Sequence, residues 1–311
     1  MKKFLLKAVS FFAIFIIAYV VCLFCFCNIM PKKLQKNVLY LKNSTGHLST
    51  RLAEADTCSQ VDVLALGSSH TYRGFDPRIF RRHGISLFNL GSSAQSPIQT
   101  EYLVKKYIDK IHPRVVVFDM YYTILQCDGT ESALDLFSNS PGIDKGLFEM
   151  ALKVNTIPAY NTFVYSWFKT LNRQNIKEPA IKNNDTYIPG GFVERTINNN
   201  QYHGQHIAPA HFEINELQLK SLQNIVKILK EKNIRLILVQ TPYAPDSYRS
   251  VVNRDSLDRY LSSLKDAEYY NFNDTNIFKN DYFFDFSHLN SKGVEVYDSI
   301  LINKLFPGGH L

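Results

Sequence analysis

Short apolar runs along this chain alternate with longer stretches in which apolar residues return every three or four positions. Val61–Leu66 is mostly apolar and stops at Gly67-Ser68-Ser69-His70. A run of that length closed by a glycine reads as a buried parallel strand ending in a tight loop. Ile85–Leu90, ended by Gly91, is a second such run, and Val115–Met120 is a third. Ile234–Gln240 is a fourth, stopped by Thr241-Pro242, and Glu268–Phe272 is a short fifth. Between them the period changes to that of a helix. Residues 73–83 form a basic segment with Pro77 near a helix start, and Gln95–Ile111 carries Ile98, Tyr102, Leu103, Tyr107 and Ile108 on one face. Ile214, Leu217, Leu222, Ile225, Val226 and Leu229 make another stripe, Ser256–Leu264 is helical, and Asn290-Ser291 caps a last helix ending near Leu305. Strands separated by helices predict an α/β fold in three layers, α/β/α, around a parallel sheet of about five strands.

Three segments depart from that rhythm. From Ala8 to Cys27 no residue is charged, and about 20 apolar residues in a helix span a bilayer core of roughly 30 Å. A secretory signal peptide is the competing reading, but no small-x-small cleavage pattern precedes Pro31. Residues 1–30 are therefore expected to be an uncleaved transmembrane anchor, and 31–60 a tether with Leu39, Leu41, Leu48 and Leu52 as anchors. Lys2, Lys3 and Lys7 on one side face Lys32, Lys33 and Lys36 on the other, so the basic count does not set the orientation. The short amino-terminal tail favours an extracytoplasmic main domain. That domain is expected over 61–311, with an insertion or lid at 127–210 that is rich in Pro, Gly and Asn and carries the run Asn198–Asn200. Roughly 80 residues are too many for an ordinary connection.

Composition narrows the picture further. With 311 residues and 45% hydrophobic content, the chain can bury one substantial core. The net charge of +7 is spread along the whole length. With no basic stripe and no nucleic-acid motif, nucleic acid is not an expected partner. Outside the apolar segment only Cys58 and Cys127 remain, too few for a disulfide framework; free thiols are expected over a single bridge. His203, His206 and His211 have no carboxylate pair or cysteine nearby, so they read as loop histidines and no metal or cofactor is expected.

The chemistry lies at the two ends of the main domain. Loops beyond the carboxyl ends of parallel strands are where open α/β sheets place their ligands. Near the far end, Asp285-Phe286-Ser287-His288 puts a carboxylate three residues before an imidazole. That spacing suits a turn in which Asp285 orients His288 and His288 takes the proton of a serine. Ser69, His288 and Asp285 are the candidate triad. Set against this, Ser69 also reads as a helix-capping serine, His288 as a surface histidine and Gly91 as a turn glycine. Arg73, Arg78, Arg81 and Arg82 read as a solvated helix face or as a lure for an anionic polymer.

Gly67-Ser68-Ser69 after strand one, Gly91 after strand two and Asp285-x-x-His288 before the last helix occur in an order that resembles the SGNH (GDSL-type) hydrolase superfamily. The resemblance covers about Val61 to Leu305 apart from the insertion, and it implies a flavodoxin-like SGNH fold. It places the nucleophile on Ser69 rather than Ser68 and implies an oxyanion hole from the backbone N–H groups of Ser69 and Gly91. The third strand of that family usually ends in Gly-x-Asn-Asp, whose Asn donates to the oxyanion. Here the strand ends Phe118-Asp119-Met120-Tyr121-Tyr122, which leaves Tyr121, Tyr122 or a group from the insertion as replacement donors and, with His70, as candidate substrate contacts. Membrane-anchored members lacking that block include relatives of alginate O-acetyltransferases and of the D-alanyl-transfer protein of teichoic acid modification. By that resemblance the chain is an esterase or O-acyltransferase, with acetyl the expected group and a cell-surface polysaccharide or other acylated glycan as substrate. A membrane-bound O-acyltransferase is the expected protein partner, and a non-catalytic glycan-binding role is the alternative.

Overall fold

The computed structural model describes residues 1–44, 46–171, 177–196 and 202–309; the asparagine run lies outside them. In chain order its first helices are α1 (Lys2–Ile29), α2 (Leu48–Ala55), α3 (Ser69–Gly74), α4 (Pro77–Arg82), α5 (Pro97–Ile111) and α6 (Tyr122–Gln126). There follow α7 (Thr130–Asn139), α8 (Lys145–Val154), α9 (Ile157–Leu171), α10 (Glu216–Glu231), α11 (Pro245–Ser250), α12 (Arg254–Ser262) and α13 (Ser291–Leu305). The strands are β1 (Val63–Leu66), β2 (Leu87–Asn89), β3 (Val115–Asp119), β4 (Ile181–Lys182), β5 (Asp185–Ile188), β6 (Phe192–Arg195), β7 (Arg235–Gln240) and β8 (Glu268–Asn271).

Five strands make one parallel sheet in the order β2-β1-β3-β7-β8. This is the doubly wound order, whose switch point lies between β1 and β3. Successive side chains on a strand point to opposite faces, and here both faces are apolar. Leu64, Leu66, Val116, Phe118, Leu236 and Leu238 enter one core with α5 and α10. Val63, Ala65, Val115, Val117, Ile237 and Val239 enter the other, with α4 and α13. The architecture is therefore α/β/α, with one apolar helix, α1, preceding it that is long enough to cross a membrane.

Local chemistry accounts for the element boundaries. The basic segment 73–83 is two helices rather than one, because Pro77 lacks an N–H and disfavours helical geometry at the residue before it. Asp76 caps the second, accepting from the Arg78 amide at 2.8 Å. Asn215 and Asn290 cap α10 and α13 in the same way.

In the 31–60 segment, Leu48, Leu52 and Ala55 of α2 pack into the core beside α5. Arg51 is fully buried and donates to the carbonyls of Gly91 and Gly191 at 2.9 and 2.8 Å. Within 127–210, α7–α9 bury Phe137, Leu147, Met150 and Ala151 in that same core. The small antiparallel sheet β4-β5-β6 is fastened to the end of β2, where Asn89 N donates to Gly190 O at 2.8 Å. Gly191, at φ +92°, lies so close to Asn89 that any Cβ would collide with its carbonyl. Cys58 and Cys127 are free thiols.

Candidate active site

β1 runs into the site and stops at Gly67, whose φ of +137° turns the chain sharply beside Asp119. A side chain there would be strained and would press on the Thr71 hydroxyl. Ser68 follows in extended geometry and caps α3, its Oγ accepting from the His70 amide at 3.4 Å. Ser69 is the first residue of α3, so its amide lies among those that a helix leaves without intrahelical acceptors. Of the two serines, Ser68 is thus the cap, and Ser69 presents its hydroxyl to the cleft.

The partner loop is built by its own carboxylate. Phe283 and Leu289 bridge across it, and Phe284 N donates to His288 O at 3.1 Å. Inside, Asp285 Oδ1 accepts from the amides of Ser287 and His288, both at 2.8 Å, the turn that Asp readily makes with its own backbone. The turn leaves Asp285 Oδ2 facing His288 Nδ1 at 2.9 Å, while His288 Nε2 lies 2.8 Å from Ser69 Oγ. A carboxylate only accepts, so Nδ1 carries the proton and Nε2 is left to accept that of Ser69. Burial pushes the Asp285 carboxyl up, but the hydrogen bond and charge of His288 and the two amides outweigh it and hold it well below the usual carboxylate range.

The His288 ring is held between two others. His70 stacks on it at 4.7 Å and 11°, and Phe284 at 5.3 Å and 6°. His70 is buried, with Nδ1 3.0 Å from Ser68 Oγ. Burial and the neighbouring His288 charge lower its pKa well below the ordinary imidazole value, against Asp285 and Ser287. A neutral His70 ring therefore faces His288.

The cleft has a volume of about 560 Å³ and includes Ser69, His288, Ser93, Ala94, Tyr121 and Arg195 in its lining. Tyr121 stands over His70, ring centres 4.2 Å apart. Tyr122, the first residue of α6, does not reach the cleft: it is buried against Phe212 and Tyr243. Gly91 is also displaced from its expected role. Its amide donates to Asn89 Oδ1 at 3.1 Å, and its small size serves close packing, since a Cβ would sit 3.0 Å from Ser68 O.

Ala94, three residues on, lines the cleft in left-handed geometry at φ +48°, and its amide bonds to no acceptor among the described residues. No pattern in the sequence marks it. Asp119, the last residue of β3, is fully buried and accepts from Thr241 N and Oγ1 at 3.0 and 2.7 Å. Arg73 is not on a solvated face. It is buried and makes a two-pronged pair with Asp185 at 3.0 and 2.8 Å, which Arg195 joins at 3.3 Å. His203, His206 and His211 are exposed, and the described residues contain no group of three His, Cys, Asp or Glu side chains arranged to hold a metal.

Together these groups bring a serine hydroxyl, an imidazole paired with a carboxylate, and backbone N–H groups to one cleft, the kind of arrangement that acyl transfer requires. A protein-family model matches residues 195–307, a span holding Asp285 and His288 but not Ser69. No curated protein matches the chain. Among solved structures, a Streptococcus pneumonia protein designated a platelet activating factor is similar over 83% of this chain and 91% of its own, at 9% identity and a TM-score of 0.43. A Bacteroides fragilis protein designated an acylhydrolase matches over 83% and 97%, at 14% identity and a TM-score of 0.41. A GDSL-like lipase from Bacteroides thetaiotaomicron matches over 83% and 98%, at 12% identity and a TM-score of 0.40.

Proposed function

We propose that this chain is a serine-dependent acyl-ester hydrolase or O-acyltransferase of SGNH type, anchored by α1, that moves an acetyl group on a cell-envelope glycan outside the membrane. What carries the reading is the approach of His288 Nε2 to Ser69 Oγ, 2.8 Å, with Asp285 on Nδ1 at 2.9 Å. In the first half-reaction Ser69 Oγ bonds to the ester carbonyl carbon as His288 Nε2 takes its proton. The carbonyl oxygen becomes an oxyanion beside the amides of Ser69 and Ala94. Collapse expels the alcohol, which leaves with the proton from His288. In the second half-reaction water or a sugar hydroxyl gives its proton to His288 and takes the acyl group, freeing Ser69.

The test is fluorophosphonate labelling and ester turnover by the full-length protein in detergent, beside Ser69→Ala and His288→Ala. Wild type should label, and both variants should lose labelling and turnover. A Ser69→Ala protein with unchanged turnover would sink the reading. The second reading, a non-catalytic glycan-binding protein or a partner of a membrane-bound O-acyltransferase, is favoured by one observation: β3 ends in Asp119, whose carboxylate is engaged by Thr241, and not in the Gly-x-Asn-Asp block of the family it resembles. Folded wild type that never labels would support it.

A further inference from the structure

α1 is not a free-standing mast. Its large apolar side chains are at least 60% exposed from Phe4 to Ile17, but exposure falls to 38% at Phe24. The change comes where α1 meets α9. Tyr19 donates to Asn161 Oδ1 at 2.7 Å, Phe24 packs on Tyr165 and Phe168 with ring centres 5.8 and 6.1 Å apart, and Tyr165 and Lys169 reach Asn28 at 3.4 Å. Both sets of residues ascend together, so the two helices run side by side in the same direction.

That docking conflicts with a bilayer boundary at the end of α1. The part of α1 that is both uncharged and clear of the protein, Ala8 to Ala18, is about 11 residues or roughly 17 Å at 1.5 Å per residue. A hydrocarbon core needs about 30 Å. The core must therefore extend roughly 13 Å past Ala18, alongside whatever stands beside α1. What stands there is apolar. Ile157, one turn before Asn161, lies level with the free part of α1. At 100° per residue Ile157, Val164, Trp167 and Leu171 share one face of α9, and α8, joined to α9 by a two-residue turn, adds Phe148 and Leu152. Ile157, Trp167, Leu171, Phe148 and Leu152 are each at least 50% exposed. Phe148 reaches Phe163 of α9 at 5.8 Å, which makes the patch continuous from α8 across α9 to α1.

We infer that the α8–α9 hairpin is a membrane-docking shelf: its tip around Ile157 and Leu152 enters the lipid beside α1, and Trp167 lies near the edge of the hydrocarbon, under the head groups. Trp167 is six residues beyond Asn161, about 9 Å along the helix, which places it a few ångströms inside the hydrocarbon boundary, next to the interfacial zone tryptophan favours. The catalytic domain is then seated on the bilayer in one orientation rather than swinging from a tether. The inference rests on α1 remaining as an uncleaved anchor, and not on the acyl-transfer reading.

Trp167 is the only tryptophan in the chain, so its emission reports one site. The test uses the full-length protein in vesicles of phosphatidylcholine and phosphatidylglycerol, with or without bromine on the acyl chains. In a Trp167→Phe background, single tryptophans are introduced as Ile157→Trp, Phe12→Trp within α1, and Lys227→Trp on exposed α10. These are exposed positions, so no variant disturbs a core. The Phe12→Trp and Ile157→Trp proteins should lose most of their emission to brominated lipid, native Trp167 a smaller share, and the Lys227→Trp protein none. If Phe12→Trp is quenched while Ile157→Trp and Trp167 behave like Lys227→Trp, the anchor stands and the shelf falls. If Ile157→Trp is shielded from brominated lipid and from acrylamide alike, a second copy covers the hairpin and the shelf falls. If Phe12→Trp itself is not quenched, the anchor and the shelf fall together, whereas fluorophosphonate labelling of Ser69 is untouched by any of these outcomes.

Discussion

Replacing Asp285 by Asn separates the two tasks of its carboxylate. Oδ1 accepts from the amides of Ser287 and His288 at 2.8 Å each, and Oδ2 faces His288 Nδ1 at 2.9 Å. An asparagine side chain has one oxygen. The two amides demand it, so the NH2 group falls in the place of Oδ2 and points a donor at Nδ1. Nδ1 must then accept, the ring proton moves to Nε2, and Nε2 donates to Ser69 Oγ instead of drawing its proton away. In serine triads this wrong tautomer lowers kcat about 10⁴-fold, or about 5 kcal/mol of transition-state stabilisation at 1.36 kcal/mol per tenfold. One local group softens the loss here. Ser287 Oγ is 3.1 Å from Nδ1 and offers an alternative acceptor, so Asp285→Asn should cost on the order of 10³- to 10⁴-fold, and Ser287→Ala on top of it should bring the loss to the full figure. Stability should not follow activity. Asp285→Asn keeps both amide bonds and should melt closer to wild type than Asp285→Ala, which strips both and should lose about 1–2 kcal/mol for those bonds. The assay is ester turnover beside urea denaturation of the full-length protein. A fall in turnover of less than about tenfold for Asp285→Asn would refute the assignment of His288 as the base.

Two further predictions concern buried charge. Burial raises the Asp119 carboxyl to about 6 against its bonds to Thr241. In the folded protein it therefore holds its proton to higher pH than in the unfolded chain, and stability contributed below about pH 4 is lost as pH rises through about 6, up to about 3 kcal/mol for a fully buried group. Asp119→Asn, which keeps an oxygen for Thr241, should flatten that fall in urea titrations; an unchanged pH profile would refute it. Arg73→Met should destabilise by about 3 kcal/mol, the lower end for breaking a buried pair, because Arg195 still lies 3.3 Å from Asp185. Adding Asp185→Leu should restore much of that, and a double-mutant cycle with coupling below about 0.5 kcal/mol would count against the pair.

The parallel sheet was legible because its signals are local. Each inner strand is a short apolar run that ends in Gly or meets a polar turn, and the helices between carry their own period and caps. Asp285 and His288 were legible for the same reason: three residues apart, they meet through a turn that the Asp side chain makes with its own backbone. Ser69 stood out because it follows the glycine that ends β1. The start of α4 was legible in the 73–83 segment because Pro77 sits at its first turn with Asp76 as the cap. α11 left only Pro245 as a mark of its start.

What escaped was everything whose meaning lies in a distant partner. Arg51 lies in the segment expected to be a tether and nothing in the sequence marks it, yet its bonds are to carbonyls 40 and 140 residues away. Arg73 reads as part of a solvated helix face until Asp185, 112 residues on, closes on it. The setting of Gly91 was hidden for a related reason. Glycine is the visible sign of unusual backbone, so Gly91 drew attention, but its N–H is spent on Asn89 only two residues earlier. Ala94 takes up left-handed geometry that nothing in its side chain announces, imposed by the loop between β2 and α5 as it wraps the cleft. The acidic end of β3 carries the same lesson in reverse. Asp119 ends β3, and only the tertiary position of Thr241, just past the end of the neighbouring β7, turns it into a buried brace. A strand end in this sheet therefore marks where polar groups gather, while how each group is engaged is decided by the neighbouring strand.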